Sequence, residues 1–207
     1  MTAKIATDQT RKALRSHITQ KRIVGAIVLD RFAAQTLPAS IKKPLAQFKA
    51  AQAALKSSVA DAEDAFFALS DAEDAVAMAN QALDLQIEAL ARSLVAAGLG
   101  QRSRPFIGYS NRAPSKLVRL PVANKVRKIR SVAKVVASKA KHDGVRANAT
   151  RLASTADAAA SALGKVSAPA LELRRARASV GSALGPWKAA FKRLKTFAAV
   201  AWIDEPD

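Results

Sequence analysis

Between Ile41 and Leu94 the apolar residues recur alternately every third and fourth position: Leu45, Phe48, Leu55, Val59, Ala62, Phe66, Leu69, Val76, Leu83, Ile87, Leu90 and Leu94. A mean spacing of 3.5 is a heptad seam, the pattern with which one helix lies along another. Three polar residues, Gln52, Glu73 and Asn80, interrupt it, all at the seam position that Leu45 begins. A polar side chain at such a place fixes register at some cost in stability. No glycine falls inside the stretch, and its one proline, Pro44, lies in the first turn, where a missing N–H costs little. The pattern predicts one helix over 41–98, about 90 Å long at ~1.5 Å per residue. A helix of that length needs a partner of similar length.

The remaining elements follow from the same period. A first helix is expected over 8–36, capped by Thr7 or Asp8, with Leu14, Ile18, Ile23, Ile27, Val28 and Phe32 as its apolar face. Leu37-Pro38 ends it, because proline disfavours helical geometry in the residue before it. Gly98 and Gly100 close the long helix. A return helix over 121–142 carries the seam Val122, Val126, Ile129, Ala133, Val136 and Ala140. The pattern breaks at His142-Asp143-Gly144 and resumes in another phase as Val145, Ala149, Leu152, Ala156, Ala159, Leu163, Val166, Ala170, Leu173 and Val180, a helix over 145–184. Pro169 marks a second kink or restart within it. Gly185-Pro186 reads as a stop before a last helix over 187–203. The fold class expected is all-α: a long antiparallel, coiled-coil-like hairpin buttressed by N- and C-terminal helices, an elongated bundle forming a single domain over 1–207.

Composition fits that architecture. Half the residues are apolar, but aromatics make up only 5%, so burial per residue is modest, as in bundles. The absence of cysteine excludes disulfides, thiol chemistry and Cys-based zinc sites. Net charge is +18, and its distribution matters more than its total. Residues 61–88 hold eight acids and no base, whereas residues 124–151 hold nine bases and one acid. If the chain turns back near residue 106, position 61 faces 151, position 88 faces 124, and the two blocks cancel. The excess then resides in 1–60 (+9), 89–123 (+6) and 152–207 (+3).

The least helical stretch is the loop 99–120, with Pro105, Pro114 and Gly108, the aromatics Phe106 and Tyr109, and the bases Arg102, Arg104, Arg112, Lys116 and Arg119 without one acid. Connections within bundles are usually about 2–8 residues, and long loops disproportionately carry function. Bases interleaved with aromatics suit single-stranded nucleic acid or phosphate-rich surfaces. The competing expectation is an ordered cap with Phe106, Ile107 and Tyr109 folded over the open end of the hairpin. A second basic cluster, Lys12, Arg15, Lys21 and Arg22, lies on the first helix. The last helix sets Trp187, Phe191, Leu194 and Trp202 on one face, with Lys188, Lys192, Arg193 and Lys195 over much of the rest. Such a helix can bind a membrane surface or a partner groove. Docking on the rest of the bundle is the expectation here, because the first helix offers Phe32 as a matching surface.

No metal or catalytic constellation accompanies these features. His17 and His142 lie on different helices without a ligand at helical spacing, and the twice-occurring DAEDA motif (61–65 and 71–75) offers carboxylates that do not converge. No glycine-rich phosphate loop or nucleophile elbow occurs. The sequence therefore leads to a non-enzymatic protein with no cofactor, metal or small-molecule substrate. Without a secretory signal or membrane span, a cytoplasmic location is the default. The leading function expected is a structural or assembly protein that self-associates as a homo-oligomer or binds a protein partner. The alternatives are sequence-independent nucleic-acid binding by the loop and first helix, and peripheral membrane binding by the last helix.

Overall fold

The computed structural model describes residues 2–201, with side chains from Ile18 onward. Trp202 and the side chains of Lys12 and Arg15 lie outside the described residues. The helices are α1 (Thr2–Ala33), α2 (Ala39–Ala96), α3 (Pro114–Val118), α4 (Val122–Lys139), α5 (Asp143–Gly164) and α6 (Ser167–Ala201). Among the described residues there is no strand, so the protein is an all-α helical bundle, as the apolar spacing predicts. The chain divides into two compact units, Met1–Ala65 with Leu173–Asp207, and Phe66–Glu172. Both α2 and α6 contribute residues to each.

In the first unit, Ile41, Phe48 and Leu55 of α2 are buried seven residues apart. They share a core with Val180, Trp187, Leu194 and Ala201 of α6, which repeat at the same interval. Gln47 accepts a hydrogen bond from Arg193, Gln52 from Trp187, and Ser58 meets Ser179. Partner numbers fall as α2 advances, so the two helices are antiparallel. Their register also corrects the expected stop at Gly185-Pro186, because α6 runs unbroken through Pro186. Proline there removes one backbone hydrogen bond on an exposed side. The uninterrupted burial of Val180, Trp187 and Leu194 outweighs that loss.

The polar seam residue Gln52 holds this unit together. It is buried; its Nε2 donates to the Arg22 carbonyl at 3.0 Å, while its Oε1 accepts from the Trp187 indole N–H. The Gln52 amide lies where a side chain on Gly25 would begin, so the two helices approach closely at Gly25. The buried face of α1 differs from the expected one. Val28, Leu29 and Phe32 pack on the core, whereas Ile23 and Ile27, expected on the buried face, are exposed. Gly25→Ala is expected to cost about 1–3 kcal/mol, the usual price of overpacking. The Gln52 amide is fixed at both ends and cannot give way. Thermal unfolding followed by circular dichroism would show the loss.

The second unit buries Leu83, Ile87, Leu90 and Leu94 of α2 with Val126, Ile129, Ala133 and Val136 of α4. Three alanines of α5, Ala149, Ala156 and Ala159, are wholly buried in the same core, and their small side chains let helices approach closely. The phase break at His142-Asp143-Gly144 is a reversal of direction. Residues 140–142 form a short extended connection, and Arg130 of α4 donates to Asp157 of α5 at 2.7 Å across the resulting hairpin. The resumed pattern also divides earlier than expected. Between α5 and α6 lie only Lys165 and Val166, and Pro169 stands in the first turn of α6, where the sequence placed a restart.

These pairings keep the expected charge pairing at its near end, beside Lys125, and overturn it at its far end. The residue facing Ser58 is Ser179, so position 61 does not lie opposite 151. One base of the 124–151 block reaches an acid of α2: Lys125, 1% exposed, donates to Asp84 at 2.5 Å and to the seam residue Asn80 at 2.9 Å. Arg130 and Arg146 pair instead with Asp157 and Asp143. Lys128, Lys134 and Lys139 are exposed and have no ion pair among the described residues.

Candidate anion-binding site

Gly98, with φ +67°, ends α2 in a conformation that side chains resist, and the Leu99 N–H returns to the Leu94 carbonyl at 2.9 Å. The loop beyond it is built from successive turns. Backbone N–H groups of Arg104, Ile107 and Tyr109 each donate three residues back, to Gln101, Arg104 and Phe106. Gly108, φ +82°, supplies the second left-handed position. Phe106, 2% exposed, and the buried Leu117 of α3 anchor the loop in the core, with Tyr109 half-buried beside them. This is the ordered cap for Phe106 and Tyr109, whereas Ile107, expected to fold over with them, is exposed. The Phe106 ring is not a surface on which a base could stack.

The bases remain outside. Arg104, Arg112 and Lys116 line one hollow of about 220 Å³, together with Ile107, Gly108, Ser110 and Asn111. All three cations are exposed, and none has an ion pair or side-chain hydrogen bond among the described residues. The Ser110 hydroxyl accepts the Arg112 backbone N–H at 3.1 Å, which leaves its own proton free to donate. No acid occurs between Glu88 and Asp143, so no carboxylate nearby in sequence competes for these cations. Arg102 and Arg119 are exposed but do not line the hollow. Ser110 and Asn111 were not legible as site residues. Their only signal is a polar pair between Gly108 and Pro114, which marks a turn.

Several of the other sequence candidates are engaged elsewhere. In the first unit, Lys21 Nζ lies 5.8 Å from the centre of the Trp187 ring, a cation–π contact. Arg22 pairs with Glu63 at 3.3 Å. Trp187 stacks on Phe191 with centroids 5.1 Å apart, and both rings meet Phe48. Leu194 is buried beside them, and Arg193 is bound to Gln47, leaving Lys188, Lys192 and Lys195 exposed. The aromatic face of α6 therefore docks on α2. Among the described residues no helix is long and apolar enough to cross a membrane, and no three His, Asp or Glu side chains converge on a metal position.

A different surface emerges on α2. From 66 to 82 no residue is buried, although the stretch carries Phe66, Phe67, Leu69, Val76 and Met78. Phe67 is 63% exposed, Met78 72% and the following Leu85 57%; at intervals of eleven and seven they share one side of the helix. Asp71, Glu73 and Asp74 stand among them, exposed and without ion pairs among the described residues. The seam pattern does not single out these residues, since all three apolar ones lie off it. No family model, curated protein or solved structure matches this chain.

Proposed function

We propose that this is a non-enzymatic assembly protein whose copies associate through the open, acidic centre of α2. The observation that carries this is the run of large apolar side chains at 67, 78 and 85 left in water beside unpaired carboxylates. Apolar patches rimmed by polar residues mark interaction surfaces in soluble proteins. Two copies meeting α2 to α2 would set acids against acids. A second copy offering its α4 side, where Lys128, Lys134 and Lys139 are unpaired, is complementary instead. Such a contact joins two different surfaces, so it propagates into rings or open chains of copies.

Sedimentation velocity at rising protein concentration tests this. Association should be present at low salt and weaken as salt screens the charges. Asp71→Lys combined with Asp74→Lys should yield a monomer with unchanged helicity, because both side chains are exposed and unpaired. A strict monomer at low salt and high concentration would sink the proposal.

A second reading rests on the thirteen bases and no acid between Glu88 and Asp143. With the internal cancellation kept only beside Lys125, this basic stretch suits sequence-independent nucleic-acid binding. Each phosphate neutralised on a duplex should steepen the salt dependence of binding by a logarithmic slope of about 0.9. A mobility shift insensitive to salt, or none, would exclude it.

A further inference from the structure

We propose that the hollow in the loop between α2 and α4 is a binding site for a single phosphoryl group, held by Arg104, Arg112 and Lys116. The inference is independent of the assembly surface on α2. Three positive side chains around one small volume repel one another unless an anion joins them. Some bases of this protein have a carboxylate partner, as Lys125 has Asp84, Arg130 has Asp157 and Arg22 has Glu63. Others, such as Lys128, Lys134 and Lys139, have none among the described residues, and Arg104, Arg112 and Lys116 belong with this second group.

The lining matches the ligand in chemistry and size. Two guanidinium groups can each present paired N–H donors to phosphate oxygens, and an ammonium adds a point charge. The Ser110 hydroxyl and the Asn111 amide add neutral donors at the same rim. At about 220 Å³ the hollow lies below the range of about 300–1,000 Å³ typical of drug-sized ligands. That favours one compact anionic group over a large molecule. Specificity for a phosphoryl group over a carboxylate follows from the number of donors, because a phosphate offers more oxygens to three cations and a hydroxyl.

The site is also preorganised. Its backbone is fixed by turn hydrogen bonds on both sides: Ile107 to Arg104, Ser110 to Phe106, and Lys116 to Ala113. Phe106 and Leu117 hold that backbone to the core. Binding therefore orders only three side chains, which limits its entropic cost.

Titration with inorganic phosphate, at ionic strength held constant with chloride and followed by calorimetry, is the test. Saturable binding with one site per chain is expected. Arg104→Ala, Arg112→Ala and Lys116→Ala should each weaken it by roughly tenfold or more, as loss of a charge-assisted hydrogen bond does. Because all three side chains are exposed, thermal unfolding should be unchanged and separates lost binding from lost fold. Lys134→Ala combined with Lys139→Ala should leave phosphate binding intact. Competition by a single-stranded oligonucleotide carrying a 5′-phosphate, but not by its 5′-hydroxyl counterpart, would identify a nucleic-acid end as the source of the group. Competition by neither would assign the site to free phosphate or a small ester. Absence of saturable binding, or equal loss with the α4 lysine variants, would overturn the proposal.

Discussion

Trp187→Ala is expected to destabilise the protein by about 4 kcal/mol or more. Truncating a buried aromatic to alanine typically costs about 3–5 kcal/mol. Here the loss removes three contacts at once: the stack on Phe191, the tilted contact with Phe48 and the cation over the ring, Lys21. It also leaves Gln52 Oε1, buried between α1 and α6, without its donor. An orphaned buried acceptor adds about 1–3 kcal/mol. For a chain of this size each kcal/mol lowers the melting temperature by about 2–4 °C, so a fall of roughly 10 °C or more is anticipated. Trp187→Phe separates the two contributions by keeping the ring and deleting the N–H. It should cost about 1–3 kcal/mol, and Gln52→Leu in that background should recover part of it. A loss from Trp187→Ala too small to resolve by denaturation would mean that α6 does not dock through this ring.

The second large effect lies at Lys125. Asp84→Ala leaves an ammonium that is 1% exposed with the neutral Asn80 as its remaining partner. Removing one member of a buried pair costs about 3–5 kcal/mol, and the partial exposure of Asp84 brings the expectation down to about 2–3 kcal/mol. Lys125→Met deletes the charge while keeping the length of the side chain, so the same pair is lost without stranding a cation. Its cost should be clearly smaller than that of Asp84→Ala. Urea denaturation of both variants gives the order directly. The reverse order would mean that the ammonium reaches water and that the pair is an ordinary surface contact.

The two sites show how far the sequence reaches. Gln52, Glu73 and Asn80 read as register-setting by their place in an apolar seam. Gln52 and Asn80 are satisfied by side chains from neighbouring helices, whereas Glu73 is exposed without an ion pair among the described residues. The helical class and the long α2 were legible because their heptad spacing persists for many turns. The direction of the chain after Lys139 was not. A phase break shows that a seam changes face, and it cannot distinguish a bend in one helix from a reversal into a hairpin. The reversal at 140–142 also removes the far end of the charge pairing, since pairing 61 with 151 requires the helix to continue. Gly185-Pro186 failed for the opposite reason. Local helix-stop chemistry was overruled by the burial of Val180, Trp187 and Leu194 at heptad spacing.

The loop was legible as a concentration of bases, and its geometry was not. Sequence could not separate Phe106, which is core, from Arg104, Arg112 and Lys116, which gather around one hollow. Nor could it find the open side of α2, because exposure depends on where partner helices lie. Phe67, Met78 and Leu85 are unremarkable as apolar residues off a seam. They become informative only as large side chains that no helix covers.

Chemical cross-linking tests the assembly account most directly, and the chain favours it by containing no cysteine. A copy carrying Met78→Cys is mixed with a differently tagged copy carrying Lys134→Cys and treated with a short bismaleimide. The account predicts that mixed pairs, one cysteine from α2 and one from α4, exceed pairs joining two Met78→Cys copies, and that high salt suppresses them. A predominance of α2-to-α2 pairs, or no cross-linked species at low salt, would contradict it.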